Sequence, residues 1–171
     1  MPVKIPFLSK SNGFTLIELI VVIILLAIIG VVATSRYIGL SSVSAYAAQE
    51  QVIATIRYVQ LARMQSNSDA TEARHQLRIN STGDCLGSLA GCDLIDAANS
   101  VSERSDIAAT RSDINYFEEG VLFTPTDKTY TFDLFGNPSV TETITVRDST
   151  GGSSCEVLIN SQGYVSEGNC S

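Results

Sequence analysis

The feature that most constrains this chain is an apolar run near its start, from Phe14 to Ala33, in which the only charged residue is Glu18. Twenty helical residues rise ~30 Å, the hydrocarbon thickness of a bilayer. A carboxylate inside such a span is unfavourable by a few kcal/mol, so its presence points to a function. Two commoner explanations compete. A secretory signal peptide has a shorter apolar core that ends at a small-residue cleavage site, whereas this run is longer, follows Gly13 and carries Glu18. A plain signal anchor accounts for the length but for neither the glutamate nor the Gly13-Phe14 junction.

Charge sets the orientation. The chain has 171 residues and a formal net charge of −7. Lys4 and Lys10 precede the apolar run with no acid beside them, and Arg36 follows it. That bias favours a cytoplasmic N-terminus, which puts the remainder in the periplasm or outside, where disulfides persist. Without Lys4, Lys10 and Glu18, nine bases and seventeen acids remain. An exported part so acidic repels phosphate backbones and anionic lipid. From Asp113 onward nine acids stand against Lys128 and Arg147 alone, the wrong field for a nucleic-acid partner.

The spacing predicts one helix from Phe14 to Ser66. Pro is absent between Pro6 and Pro125. Ala45, Ala48, Val52, Ile56 and Val59, with Ile53 beside them, recur at three-to-four spacing and make one apolar stripe. Glu50, Gln51, Arg57 and Arg63 are read as lying off it. Gly30 and Gly39 are the only helix breakers in that stretch, serving either as bends or as close-packing positions. Residues 68–113 are rich in Ser, Asp, Asn and Gly; His75 to Asn80 suits a strand, and Asp93 to Ala109 one helical segment. From Asn115 onward the pattern is strand and turn. Gly120–Thr124, Thr129–Phe135, Thr141–Arg147 and Cys155–Asn160 are read as successive antiparallel strands, and a Gly163 turn leads back through Tyr164-Val165-Ser166. The fold class is α+β: a long N-terminal helix, transmembrane and then amphipathic, packed on a C-terminal antiparallel sheet.

Gly13-Phe14-Thr15-Leu16-Ile17-Glu18 at the head of this apolar helix resembles the processing signal of type IV prepilins and secretion pseudopilins. Phe132-Asp133-Leu134-Phe135-Gly136-Asn137-Pro138, with the hairpin around Gly163-Tyr164-Val165, is similar to the C-terminal half of minor pilins and minor pseudopilins. The resemblance implies a pilin-like division: residues 1–13 a leader, 14–34 the transmembrane half of the helix, 35–67 its amphipathic half, and 68–171 a globular head. It implies cleavage between Gly13 and Phe14 and N-methylation of Phe14 by a prepilin peptidase/methyltransferase. It also assigns Glu18 the recruitment of each new subunit, through the cationic N-terminus of a neighbouring helix. Many major pilins carry a helix-kinking proline that is missing here. With the acidic, Ser/Thr-rich head and two expected disulfides, that suggests a minor pilin, most similar to accessory subunits of mannose-sensitive-haemagglutinin-type pili. A minor pseudopilin of a type II secretion system is the alternative, and a DNA-binding minor pilin is disfavoured by the charge. The implied partners are other pilin subunits, through the N-terminal helix, and an inner-membrane assembly platform. The chain would sit in the inner membrane with its head in the periplasm, then in a pilus at the cell surface or in a periplasmic pseudopilus.

Four cysteines fall on the exported side: Cys85, Cys92, Cys155 and Cys170. Their gaps do not match the close Cys pairs of zinc sites, and disulfides are the preferred reading. Cys85 and Cys92 bracket a short loop with Gly87 and Gly91. For Cys155 and Cys170, hairpin arithmetic applies: a two-residue loop at Gln162-Gly163 puts position 155 opposite 170, and a three-residue loop at Ser161 to Gly163 puts it opposite 169. His75, a lone imidazole, is read as a surface or sheet-edge residue. Asp106, Asp113, Glu118 and Glu119 lack the alternating pattern of a Ca²⁺ loop and are read as a solvated acidic face. No catalytic set, metal site or cofactor is called for.

Overall fold

The structure, a computed structural model, describes residues 16–26, 41–117 and 120–171. The chain divides into two units, residues 1–39 and Leu40–Ser171. In the first, residues 16–26 form a helix, α1. Among the described residues no helix is long and apolar enough to cross a membrane. Gly13, Phe14, Gly30, Gly39 and the expected junction between the two halves of the long helix lie outside the described residues.

The second unit begins with α2 (Ser41–Met64), followed by a 3-10 turn (Ala73–His75), β1 (Gln76–Ile79), β2 (Cys85–Ser88), α3 (Leu89–Ala97), α4 (Val101–Ala109) and β3 (Ile114–Tyr116). Five more strands complete it: β4 (Val121–Thr124), β5 (Lys128–Thr131), β6 (Glu142–Asp148), β7 (Ser154–Ile159) and β8 (Val165–Cys170). The class is α+β, with antiparallel pairing throughout.

The strands form two sheets rather than one. Their orders are β3-β2-β1-β5 and β4-β6-β7-β8. The chain leaves the second sheet after β4, and β5 pairs with β1, Leu77 opposite Tyr130. Asp127, at φ 53°, makes the corner, and its N–H donates to the Asn80 carbonyl at 3.0 Å. Asn80, 1% exposed, also shapes the β1–β2 turn: its Oδ1 accepts from the Gly83 and Cys85 N–H groups, and its Nδ2 donates to Asp84 and Asp96. The Gly83 carbonyl accepts from the Phe123 N–H at 2.7 Å, tying that turn to β4. A local strand pattern carries no label for its sheet partner, which is why sequence reading merged the two. The same blindness hid β2. Cys85–Ser88, read as loop, pairs with both β1 and β3, and the glycine within it allows close approach: a β-carbon at Gly87 would collide with the Asp113 and Ile114 backbone.

The expected α2 stripe is the spine of the core. Ala48, Val52, Ile53, Ile56 and Val59 join Leu77, Ile79, Leu86 and Tyr130 of the first sheet to Val121, Phe123, Ile144, Val146, Val157 and Ile159 of the second. One helix thus covers both sheets, each buried branched side chain contributing ~1.5 to 3 kcal/mol. Two corrections concern α2. It ends at Met64, because the Ser66 hydroxyl donates to the Arg63 carbonyl and closes the last turn. Arg63 lies on the stripe rather than off it, 7% exposed; its position is one period after Val59. Residues 93–109, read as one helical segment, are two helices. Each has its own N-cap: Ser88 Oγ accepts from the Gly91 N–H, and Ser100 Oγ from the Glu103 N–H.

Candidate assembly helix and the anchored head

Ten of the eleven residues in α1 are Leu, Ile or Val, all between 37% and 78% exposed, and the eleventh is Glu18. A helix apolar on every face has no stable home in water and must be covered by lipid or by other helices. It therefore offers a surface for association, interrupted by one carboxylate near its start. Gly13 and Phe14 lie outside the described residues, so the cleavage junction has no described geometry.

The head is fastened to α2 by polar side chains as well as apolar ones. Gln49 Nε2 donates to the Glu156 carbonyl at 2.7 Å, and Arg57 Nη2 to the Val165 carbonyl at 2.8 Å. Gln60 Nε2 donates to two carbonyls, Gly136 at 3.1 Å and Gly163 at 2.8 Å. Arg63 reaches the carbonyls of Phe132 at 3.1 Å and Ser68 at 2.7 Å. Most of these acceptors lie at bulges and turns, where the strand ladder leaves carbonyls without partners. A buried carbonyl left unpaired costs ~1 to 3 kcal/mol, so these four side chains seat irregular backbone on the helix. Sequence reading missed their role; the available signal was the repeat of Gln49, Arg57 and Gln60 one step beside the apolar stripe, with Arg63 on it.

Both turns that carried the second resemblance meet at Gln60. In the first, Asp133 Oδ1 accepts from the Phe135 and Asn137 N–H groups at 2.8 Å each, and Oδ2 from Asn137 Nδ2 at 2.7 Å. The Asn137 hydrogen bonds hold the Asp133 carboxyl below its ordinary pKa. In the second, Asn160 Oδ1 accepts from the Gln162 and Tyr164 N–H groups.

Cys85 is bonded to Cys92, with Cα atoms 5.8 Å apart, and Cys155 to Cys170. The second pairing needs both halves of the hairpin arithmetic. Next to the turn, Ile159 faces Val165 and Val157 faces Glu167, the three-residue register that would place 155 opposite 169. A β-bulge between Cys155 and Val157 inserts one residue and brings Cys155 opposite Cys170. Gly168 permits it, since a β-carbon there would press on Glu156.

His75 is a correction. It is buried, 8% exposed, with Nδ1 3.3 Å from Ser68 Oγ and 3.7 Å from Glu72. Asp113 is no free acidic face either. Arg111 donates to it from Nε and Nη2 at 2.8 and 2.6 Å, and Ser88 Oγ donates to Oδ2. Burial pushes the Asp113 carboxyl up, but the Arg111 and Ser88 hydrogen bonds outweigh it and leave its pKa lowered. Glu118 and Glu119 lie outside the described residues. Among the described residues no cluster of acids, His and Cys could hold a metal ion.

Residues 8–34 match the family model of the prokaryotic N-terminal methylation motif. The chain carries a prepilin signal. This is the cleavage and methylation signal of type IV pilins and pseudopilins, and the match spans the exposed apolar helix and Glu18. No curated protein and no solved structure matches the chain. The prepilin signal thus supports a chain of the pilin and pseudopilin type, while the head is described by its geometry alone.

Proposed function

We propose that this chain is a minor type IV pilin, a structural subunit of a pilus filament or of its tip and initiation complex. The carrying observation is the prepilin signal over residues 8–34 on a helix whose described faces are all apolar apart from Glu18. On this reading a prepilin peptidase cuts between Gly13 and Phe14 at the cytoplasmic face of the inner membrane, and the new Phe14 amine is N-methylated. Each subunit then leaves the bilayer by packing its helix among others. In low dielectric an isolated carboxylate and an isolated ammonium are both costly, and pairing relieves both. Glu18 therefore selects neighbours that present a free N-terminus at its level. The disulfide-closed, acidic head and the absence of a helix proline before Pro125 support a minor rather than a major subunit.

The test is N-terminal sequencing and mass of the membrane-extracted protein, followed by fractionation of a Glu18→Val variant. The expected mature chain begins at N-methylated Phe14, and the variant is cut but missing from sheared filaments. A chain retaining Met1, or wild-type levels of the variant in filaments, overturns the reading. Mature protein confined to the periplasm of a strain with intact surface pili selects the pseudopilin alternative.

A further inference from the structure

Two cavities that share Arg111 follow one another along α2, bounded on the far side by α3, α4 and β3, and together make a groove of two halves. Its first half, about 640 Å³, is lined by Ala54 and Thr55 of α2, Ala108 of α4, and Ile114, Tyr116 and Phe117. Its second half, about 520 Å³, is lined by Tyr58 and Ala62 of α2, Leu94 of α3, and Arg74 and His75. Arg111 lines both halves, locked against Asp113, which Ser88 holds in turn. From Gln51 to Ala62 the helix rises ~16 Å, the length of about five extended residues. β3 lies at the edge of its sheet and, among the described residues, pairs only with β2. Edge strands accept extended segments.

The two halves differ in charge rather than in the presence of polar groups, since Gln51, Ser112 and Asn115 also line the first. The half at Phe117 is mainly apolar, and the half at Ala62 ends at Arg74, which is exposed and, among the described residues, in no ion pair within 4 Å. The acids near it are engaged first elsewhere: Asp113 with Arg111, and Glu72 with Ser68, with His75 and Arg74 as weaker charged neighbours. A guanidinium so placed fits a carboxylate. We propose that this groove binds the C-terminal segment of another protein, about five extended and largely apolar residues running antiparallel to β3, with the terminal carboxylate on Arg74. Cys170 and Ser171 are not the occupant, because Cys170 is bonded to Cys155 and Ser171 is hydrogen-bonded to Ser154. The inference stands independently of the filament assignment.

The test is a titration of isotope-labelled full-length protein in detergent micelles, followed by amide NMR. The probes are acetyl-Val-Leu-Ala-Leu-Phe with a free carboxylate and the same peptide as its C-terminal amide. The acid should shift Tyr58, Arg74, Ile114 and Tyr116, and the amide should bind about tenfold more weakly. Arg74→Gln should remove that difference and Arg74→Lys keep most of it, each with an otherwise unchanged spectrum, since Arg74 is exposed. Equal binding of acid and amide, no shift up to the solubility limit, or shifts confined to residues 16–26 through partition into detergent would each overturn the proposal.

Discussion

Gly163 lies directly against Gly136: a β-carbon added at Gly163 would overlap the Gly136 carbonyl oxygen, the same oxygen that accepts a hydrogen bond from Gln60. Two turns from different parts of the head thus touch with no side chain between them, and one amide of α2 holds both. Gly163 has φ 77° and Gly136 φ 83°, the left-handed region that glycine adopts without penalty. Gly163→Ala should destabilise the head by about 3 kcal/mol, combining the backbone term with the overlap. Chemical denaturation of wild type and variant measures it, and a change below ~0.5 kcal/mol would show that the turns separate at little cost.

Arg63 makes a second prediction. Arg63→Met keeps the apolar stem on the stripe but leaves the Phe132 and Ser68 carbonyls without their donor, at a cost of about 3 kcal/mol. Arg63→Lys should recover less than half, because an ammonium cannot reproduce the fork that spans both acceptors. Full recovery by Lys would mean that charge, not geometry, is what this position supplies.

For the disulfides, Cys170→Ser opens a loop closed across fifteen positions, worth ~3 kcal/mol in the chain-entropy model. Hydrogen exchange should rise first at the end of β8 beyond the bulge, leaving Val165 and Ile159 protected. Cys85→Ser should instead loosen α3, because Cys85 and Cys92 pack with Ile95 and Ile114 in a small separate core. Uniform loss of protection in either variant would contradict this local division.

Acid should weaken the head through Asp113. Its pKa is lowered in the folded state, so its contribution is present above the unfolded value near ~3.9 and is lost as pH falls through the folded value. Asp113→Asn should therefore flatten the acid limb of the stability–pH profile. Glu167 works in the opposite sense. Its hydrogen bond with Glu50 raises its pKa, and that contribution fades as pH rises through the raised value. Glu167→Gln should remove this decline without altering the acid limb; an unchanged profile in both variants would sink the assignment.

The sequence by itself determined what depends on local order. The apolar run with one glutamate, the α2 stripe and most strand positions follow from period, composition and neighbours a few residues apart. Tertiary structure alone decided the division into two sheets, because a strand pattern shows which face is apolar and not which edge it will join. It decided that Arg63 and His75 are buried, since a charged or polar side chain goes inside only where carbonyls and hydroxyls arrive to meet it. It also decided the register at Cys155, where one extra residue in β8, beside Gly168 and opposite Glu156, shifts the pairing by a single position. The sheet partners and the Arg63–Phe132 contact join parts of the chain far apart in order, which no local window contains, while His75 is buried by a local turn through Ser68 and Glu72 whose course the sequence pattern does not show.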